Sequence, residues 1–407
     1  MKSESISAVG KLMLAFAVAL ALVAVATSRA HAQTFSVVHN FTGGSDGANP
    51  LSGFTIDAAG NLYGTTNAGG VSGAGTVFKV TQSGSEMVLY SFTGGIDGAN
   101  PGASLLLDAA AGYLYGTTVA GGAYGAGTVF KVEPNGGKQR VLYSFTGGTD
   151  GAGPEAGLAM DAAGFLYGTT TAGGLNGNGT VFRLGLSGSS PYRVLYSFGQ
   201  GSTDGKIPVA GVTLDAAGNI YGTTSAGGIY GYGTVFQLTL PRSSSLYGWK
   251  ESILHNFQDA NDGGVPYAGL TLDQAGNLYG AATEGGEGGN VGGTIFKLTP
   301  SQSGWTFTVL QSLPGWGISG TFRNVIMDAS GSLYATTHCD GANNAGTVYK
   351  LTYSRGTWTY NSLYVFTGGS DGLYSFSNLV FDTNGNLYGS TNLGGANGSG
   401  VVFKITP

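Results

Sequence analysis

Leu89 to Val132 reads L-Y-S-F-T-G-G-I-D-G-A-N-P-G-A-S-L-L-L-D-A-A-A-G-Y-L-Y-G-T-T-V-A-G-G-A-Y-G-A-G-T-V-F-K-V. Short apolar runs here alternate with glycine, asparagine and aspartate. Ala103 to Asp108, Tyr113 to Thr118, Thr128 to Val132 and, just beyond, Val141 to Phe145 each have the length of a strand and are bounded by turn formers. No helical periodicity runs through them.

The same block recurs along the chain. Seven copies align on Asp57, Asp108, Asp161, Asp215, Asp273, Asp328 and Asp382, at spacings of 51, 53, 54, 58, 55 and 54 residues. Four strands per copy and seven copies predict an all-β fold, a seven-bladed β-propeller of four-stranded antiparallel blades. The D-A-A-G joint supplies a hairpin turn, in which Asp57 accepts a backbone N–H and Gly60 takes φ > 0. These aspartates are therefore read as structural. Two aromatic columns, Tyr63, Tyr115, Tyr167, Tyr221, Tyr279, Tyr334, Tyr388 and Phe78, Phe130, Phe182, Phe236, Phe296, Tyr349, Phe403, are expected to pack between blades, with glycan stacking as the alternative.

If the strands are a to d from the axis outward, the repeats begin and end out of phase. Phe35 to Phe41 matches strand d, whereas Val401 to Ile405 matches strand c. Pairing the two lets the N-terminal strand 35–41 complete the blade formed by 376–405, which closes the ring and covers an open edge. A parallel β-helix is the rival, but a repeat of about 54 residues with two tight turns is long for one coil.

Before the repeats, Lys2 and Lys11 precede the apolar run Leu12 to Ala26, and Ala30-His31-Ala32 forms a small-x-small site. Residues 1–32 thus read as a secretory signal peptide, and 33–407 as one domain without a transmembrane segment; about 15 apolar residues are short for the ~20 of a spanning helix. The destination expected is the periplasm, the cell surface or the exterior. Without residues 1–32 the chain keeps 14 basic and 21 acidic residues, a net charge of −7 that disfavours nucleic acid as a partner. Cys339 is the sole cysteine, so no intramolecular disulfide staples the fold. Glycine, at 76 of 407 residues, recurs in register and so does not signal disorder.

The blocks L-Y-S-F-T-G-G-x-D-G-A, D-A-A-G-N-L-Y-G-T-T and A-G-G-x-x-G-x-G-T-V-F-K resemble the Gloeo-Verruco repeat of the choice-of-anchor tandem repeat proteins over essentially the whole mature chain. The resemblance implies a bacterial surface or exported protein and imports no catalytic residue. Many relatives carry an anchoring segment after the repeats. This sequence reaches Thr406-Pro407 directly after a strand, so an anchor is not implied. The Gly-Gly pair after strand b gives a weaker, architectural similarity to kelch propellers.

Departures from the repeat are where a specific function is expected. The crossovers from d to a carry a second aspartate set, Asp46, Asp97, Asp150, Asp204, Asp262 and Asp371, with Leu313-Pro314-Gly315-Trp316 in the sixth copy. Calcium is one reading of it, but a single carboxylate per loop is also explained by an Asp-Gly turn holding itself, so no cofactor is expected. Nucleotide binding is rejected, because the glycine-rich loops lead into strands. Of 22 acidic residues, nine are not required by the repeat, and three of those cluster: Glu284, Glu287 and Asp340, near Trp316 and His338. This edge between blades five and six is the expected ligand site. His338 and Cys339 suggest zinc or nucleophilic chemistry, yet adjacent residues at a strand end point to opposite faces. His39 and His255, in strand d, are too far out to join them. The expected function is a non-enzymatic binding or scaffold module that recognises a glycan or protein through the loop-rich face. The alternative is a propeller enzyme acting on polysaccharide, a hydrolase or lyase.

Overall fold

A computed structural model describes residues 33–186, 191–240, 248–287, 292–315 and 319–406. Among them there is no helix, and seven four-stranded antiparallel sheets form a seven-bladed propeller. In the first blade the strands are Thr55–Ile56, Leu62–Thr66, Thr76–Val80 and Glu86–Ser91, labelled a to d from the axis outward. Strand a is shorter than its apolar run: in the second blade it spans Leu106–Asp108, while Ala103 to Leu105 line the axis without ladder pairing.

The ring closes with the N-terminal strand. Thr34–Asn40 lies antiparallel against Val401–Thr406, with Phe35 opposite Ile405 and Asn40 opposite Val401. The last blade thus takes three strands from one end of the chain and one from the other.

Cohesion lies between the blades. Each of seven apolar clusters joins strands of two neighbouring blades, the closing one uniting Phe41, Tyr388 and Val402 with Phe54, Leu62 and Phe78. At six interfaces the phenylalanine ending strand d meets the strand c phenylalanine of the next blade edge to face, centroids 5.0–5.4 Å apart: Phe41 with Phe78, Phe92 with Phe130, and onward to Phe366 with Phe403. The interface between blades five and six has Leu313 and Tyr349 instead. The phenylalanine column is fully buried and has no face left for a sugar.

The glycine of L-Y-G-T-T makes this packing possible. Gly64 pairs with Phe78 across strands b and c, and a Cβ on Gly64 would stand 2.8 Å from Phe78 Cζ. Every strand d also carries one extra residue against strand c, a β-bulge at Val38, Leu89, Leu142, Leu195, Leu254, Leu310 and Leu363. The sequence pattern does not announce this bulge.

Candidate functional site: the axial mouth on the loop-rich face

Both aspartate sets are used by the scaffold. At the hairpin between strands a and b, Asp57 Oδ1 accepts the N–H groups of Ala59 and Asn61, and Oδ2 accepts the Tyr63 hydroxyl at 2.9 Å. Gly60, at φ 81°, donates its N–H to Asp57 O. In the second blade an extra alanine lengthens the turn, and Gly112 donates to Asp108 O instead. At the opposite face Asp97 accepts the Thr93 N–H and hydroxyl and the Tyr90 hydroxyl. Related turns recur at Asp46, Asp150 and Asp371, whose carboxylates are taken by their own loops, whereas Asp204 Oδ1 is left without a partner among the described residues.

The crossovers and the b-to-c loops share one face because they pair with each other: Ala48 bridges Ala68, Ala99 bridges Ala120, Ala152 bridges Ala172 and Leu373 bridges Leu393, and Gly205–Lys206 pairs with Ala226–Gly227. The residue immediately after this bridge holds a positive φ, and in five blades it is not glycine: Asn49, Asn100, Ile207, Val265 and Tyr374. For β-branched Ile207 and Val265 that conformation is strained, and strain of this kind concentrates at binding sites.

Inside this ring of loops the chain turns down the axis, and here the repeats differ. Six positions before each D-A-A-G aspartate stand Leu51, Gly102, Glu155, Val209, Tyr267, Phe322 and Phe376, so one arc of the mouth is aromatic. Tyr267 and Phe322 have centroids 5.3 Å apart, and Phe322 and Phe376 5.1 Å. His338 packs on Phe376 at 4.1 Å and on Tyr374 at 4.5 Å. All five rings are half-buried, each keeping part of its surface in solvent.

One place further along, six repeats have Ser or Ala (Ser52, Ala103, Ala156, Ala210, Ala268, Ser377), but the sixth has Arg323. Its Nε donates to Phe376 O at 3.1 Å, and one Nη donates to Leu51 O and Gly102 O at 3.2 Å. A residue of blade six thereby holds the carbonyls of blades seven, one and two. It borders an axial cavity of about 170 Å³, together with Ser104, Gly157, Gly211, Tyr267, Asn324 and Asn378. Burial presses against the guanidinium charge and Glu155 counters it; burial in turn pushes the Glu155 carboxyl up, with Arg323 opposing. Among the described residues no carboxylate forms an ion pair with Arg323.

The residues expected from sequence are distributed as follows. His338 is in the aromatic arc, and burial pushes its imidazole down to about 4. Asp340, two residues on, is buried with its carboxylate bonded to the Thr337 hydroxyl, and burial pushes it up; Oδ2 has no partner among the described residues. Its charge acts on the hydroxyls of Tyr349 and Tyr360. Cys339 feels Asp340 and burial, both raising its thiol. Glu284 pairs its backbone with Gly264, and burial plus Asp259 push its carboxyl up. Glu287 is exposed, with its N–H on Ser312 Oγ at 3.0 Å. Trp316 lies outside the described residues. His39 and His255 stand beside Asp46 and Asp262, away from the axis.

Sequence reasoning missed Arg323. A signal existed: an arginine in a column otherwise confined to serine and alanine. No other basic residue occupies that column. Glu155 was among the nine acidic residues left over, but only the fold puts it at the mouth.

The sequence pattern of the Gloeobacter/Verrucomicrobia repeat matches residues 24–236 and 210–407. No protein of curated function matches the chain. Among solved structures, an ancestral GH74 enzyme is similar at 13% identity and TM-score 0.59, over 88% of this chain and 48% of that one. The GH74 xyloglucanase from Xanthomonas campestris is similar at 17% identity and TM-score 0.54, over 88% and 52%. A protein of Bacteroides uniformis described as a 6-phosphogluconolactonase gives 15% identity and TM-score 0.52, over 85% and 98%. This chain spans about half the length of the two GH74 enzymes, and at these identities the likeness is one of fold.

Proposed function

The chain belongs to the Gloeobacter/Verrucomicrobia repeat family, and from that premise we propose that it is an exported, non-enzymatic binding module that recognises a glycan through its loop-rich face. Residues 1–32 act as the export signal, 33–407 form the single propeller domain, and the destination is the periplasm, the cell surface or the exterior. The observation that carries the reading is the arc of five partly exposed rings, Tyr267, Phe322, His338, Tyr374 and Phe376, at the mouth of a polar axial cavity. Flat apolar surface beside hydrogen-bonding groups suits a pyranose, whose C–H face is apolar and whose edge is polar. Glu284, Glu287 and Asp340, in the loops of blades five and six, are proposed to add to this site beyond His338; Trp316, the remaining residue of that set, lies outside the described residues.

Binding is favoured over hydrolysis by the carboxylate count. Glycoside hydrolysis uses two carboxyl groups flanking one bond, whereas the seven mouth positions carry one, Glu155. A glycan array followed by titration calorimetry tests the proposal. Phe322→Ala and Phe376→Ala should each weaken a hit about tenfold or more, with the melting temperature preserved. Affinity unchanged in both variants would remove the site. Release of sugar from a polysaccharide, abolished by Glu284→Gln or Asp340→Asn, would make the protein an enzyme instead.

A further inference from the structure

Resting on the glycan reading, we propose that the axial cavity beside Arg323 takes the carboxylate of a sugar acid, a terminal uronate-type unit, while the aromatic arc holds the sugar ring.

The argument starts from the charge. Arg323 is only partly exposed and has no carboxylate in contact among the described residues, and cations withdrawn from water are ordinarily paired. Arg323 spends three N–H donors on the carbonyls of Phe376, Leu51 and Gly102, which fixes the plane of the guanidinium. Its Nη1 amino group makes no hydrogen bond among the described residues, and the side chain borders the cavity. Glu155 acts on it only at a distance, and that carboxylate's own donor is the Thr171 hydroxyl at 3.5 Å. A rigid guanidinium with donors left over is the group that carboxylates select.

The rest of the cavity fits the same ligand. Asn324 and Asn378 are held in place: Gly269 N–H donates to Asn324 Oδ1 at 2.8 Å, Asn324 N–H donates to Asn378 Oδ1 at 2.8 Å, and Asn378 Nδ2 donates to Ser104 Oγ at 3.3 Å. Amides fixed in this way serve sugar hydroxyls rather than charge. A volume of about 170 Å³ corresponds to roughly five or six waters at ~30 Å³ each. That is room enough for a carboxylate and the ring atoms that carry it. Tyr267 belongs both to the cavity wall and to the aromatic arc, so a ring on the arc and a carboxylate in the cavity are within one ligand's reach.

The test is calorimetric titration of the mature chain with D-glucuronate and D-galacturonate, against glucose, galactose, the methyl ester of glucuronate, and acetate. The sugar acids should bind at least tenfold tighter than the neutral sugars, the ester and acetate. Arg323→Gln should remove that preference. Since Arg323 also ties blades together, Ser104→Asp is the second variant: it sets a carboxylate in the cavity wall with Arg323 intact and should likewise abolish acid binding. Glu155→Gln should tighten it several-fold. Equal affinity for acid and neutral sugars, with Phe322→Ala weakening both, would overturn this inference and leave the glycan reading standing. Acetate binding as tightly as glucuronate, with Phe322→Ala silent, would overturn both.

Discussion

His255 Nε2 lies 2.9 Å from Asp262 Oδ2, in the place where four other blades set a tyrosine hydroxyl against the crossover aspartate. The imidazole is also stacked on Phe307, centroids 3.7 Å apart. Burial pushes the His255 pKa down and outweighs the pull of Asp262, so the folded state favours the neutral ring.

A histidine whose pKa is lowered on folding contributes stability that is present above the unfolded value near 6.5 and is lost as pH falls through the folded one. The His255→Tyr variant should keep the bond to Asp262 and lose this pH dependence. Melting curves between pH 4.5 and 7.5 should show wild type falling more steeply than the variant. His255→Phe, which strips the bond, should cost about 1 kcal/mol at pH 7.5.

Glu86 provides the opposite sign. Burial, with Asp46 nearby, pushes its carboxyl up to about 7, and Oε1 has no partner among the described residues. Such a group stabilises fully below pH 4.5 and loses that contribution as pH rises through about 7. Glu86→Gln should match wild type at pH 4 and melt a few degrees higher at pH 8. Glu251, raised by burial and by Asp204, occupies the equivalent place in blade four, and Glu251→Gln should behave alike. A variant less stable than wild type at pH 8 would show that the carboxylate is satisfied in the folded chain.

Gly280 tests the inter-blade packing. A Cβ there would sit 2.4 Å from Phe296 Cζ, so Gly280→Ala should cost roughly 1–3 kcal/mol in urea unfolding, as overpacked cores do. Blade six already has Ala335 opposite Tyr349, whose hydroxyl reaches Thr321 Oγ1 at 2.7 Å. Ala335→Gly should therefore cost less, about 0.5–1 kcal/mol.

Closure can be tested at Phe41, which is fully buried against Phe78 although it lies only seven residues beyond Thr34, where the closing strand begins. Phe41→Ala should cost about 3–5 kcal/mol. Removing residues 33–42 should expose the edge of Val401–Thr406 and broaden the unfolding transition. A sharp, unshifted transition after that deletion would mean that the N-terminal strand does not close the ring.

Much of this protein is local, and the sequence determined it alone. The number of blades, four strands in each, the D-A-A-G hairpins and the pairing of Phe35 to Phe41 with the last repeat follow from patterns that span a few residues and recur. Turn formers and aromatic runs act within one hairpin, so their spacing suffices. The strand d bulges and the glycine beneath each phenylalanine were not legible as such, because they answer to a neighbouring strand's register. The mouth was decided by the tertiary structure only. Arg323 meets Leu51 across 272 positions and Gly102 across 221, and His338 reaches Phe376 in the next blade. Closing the ring brings those residues to one axis, and no spacing along the chain records which side chains will share it.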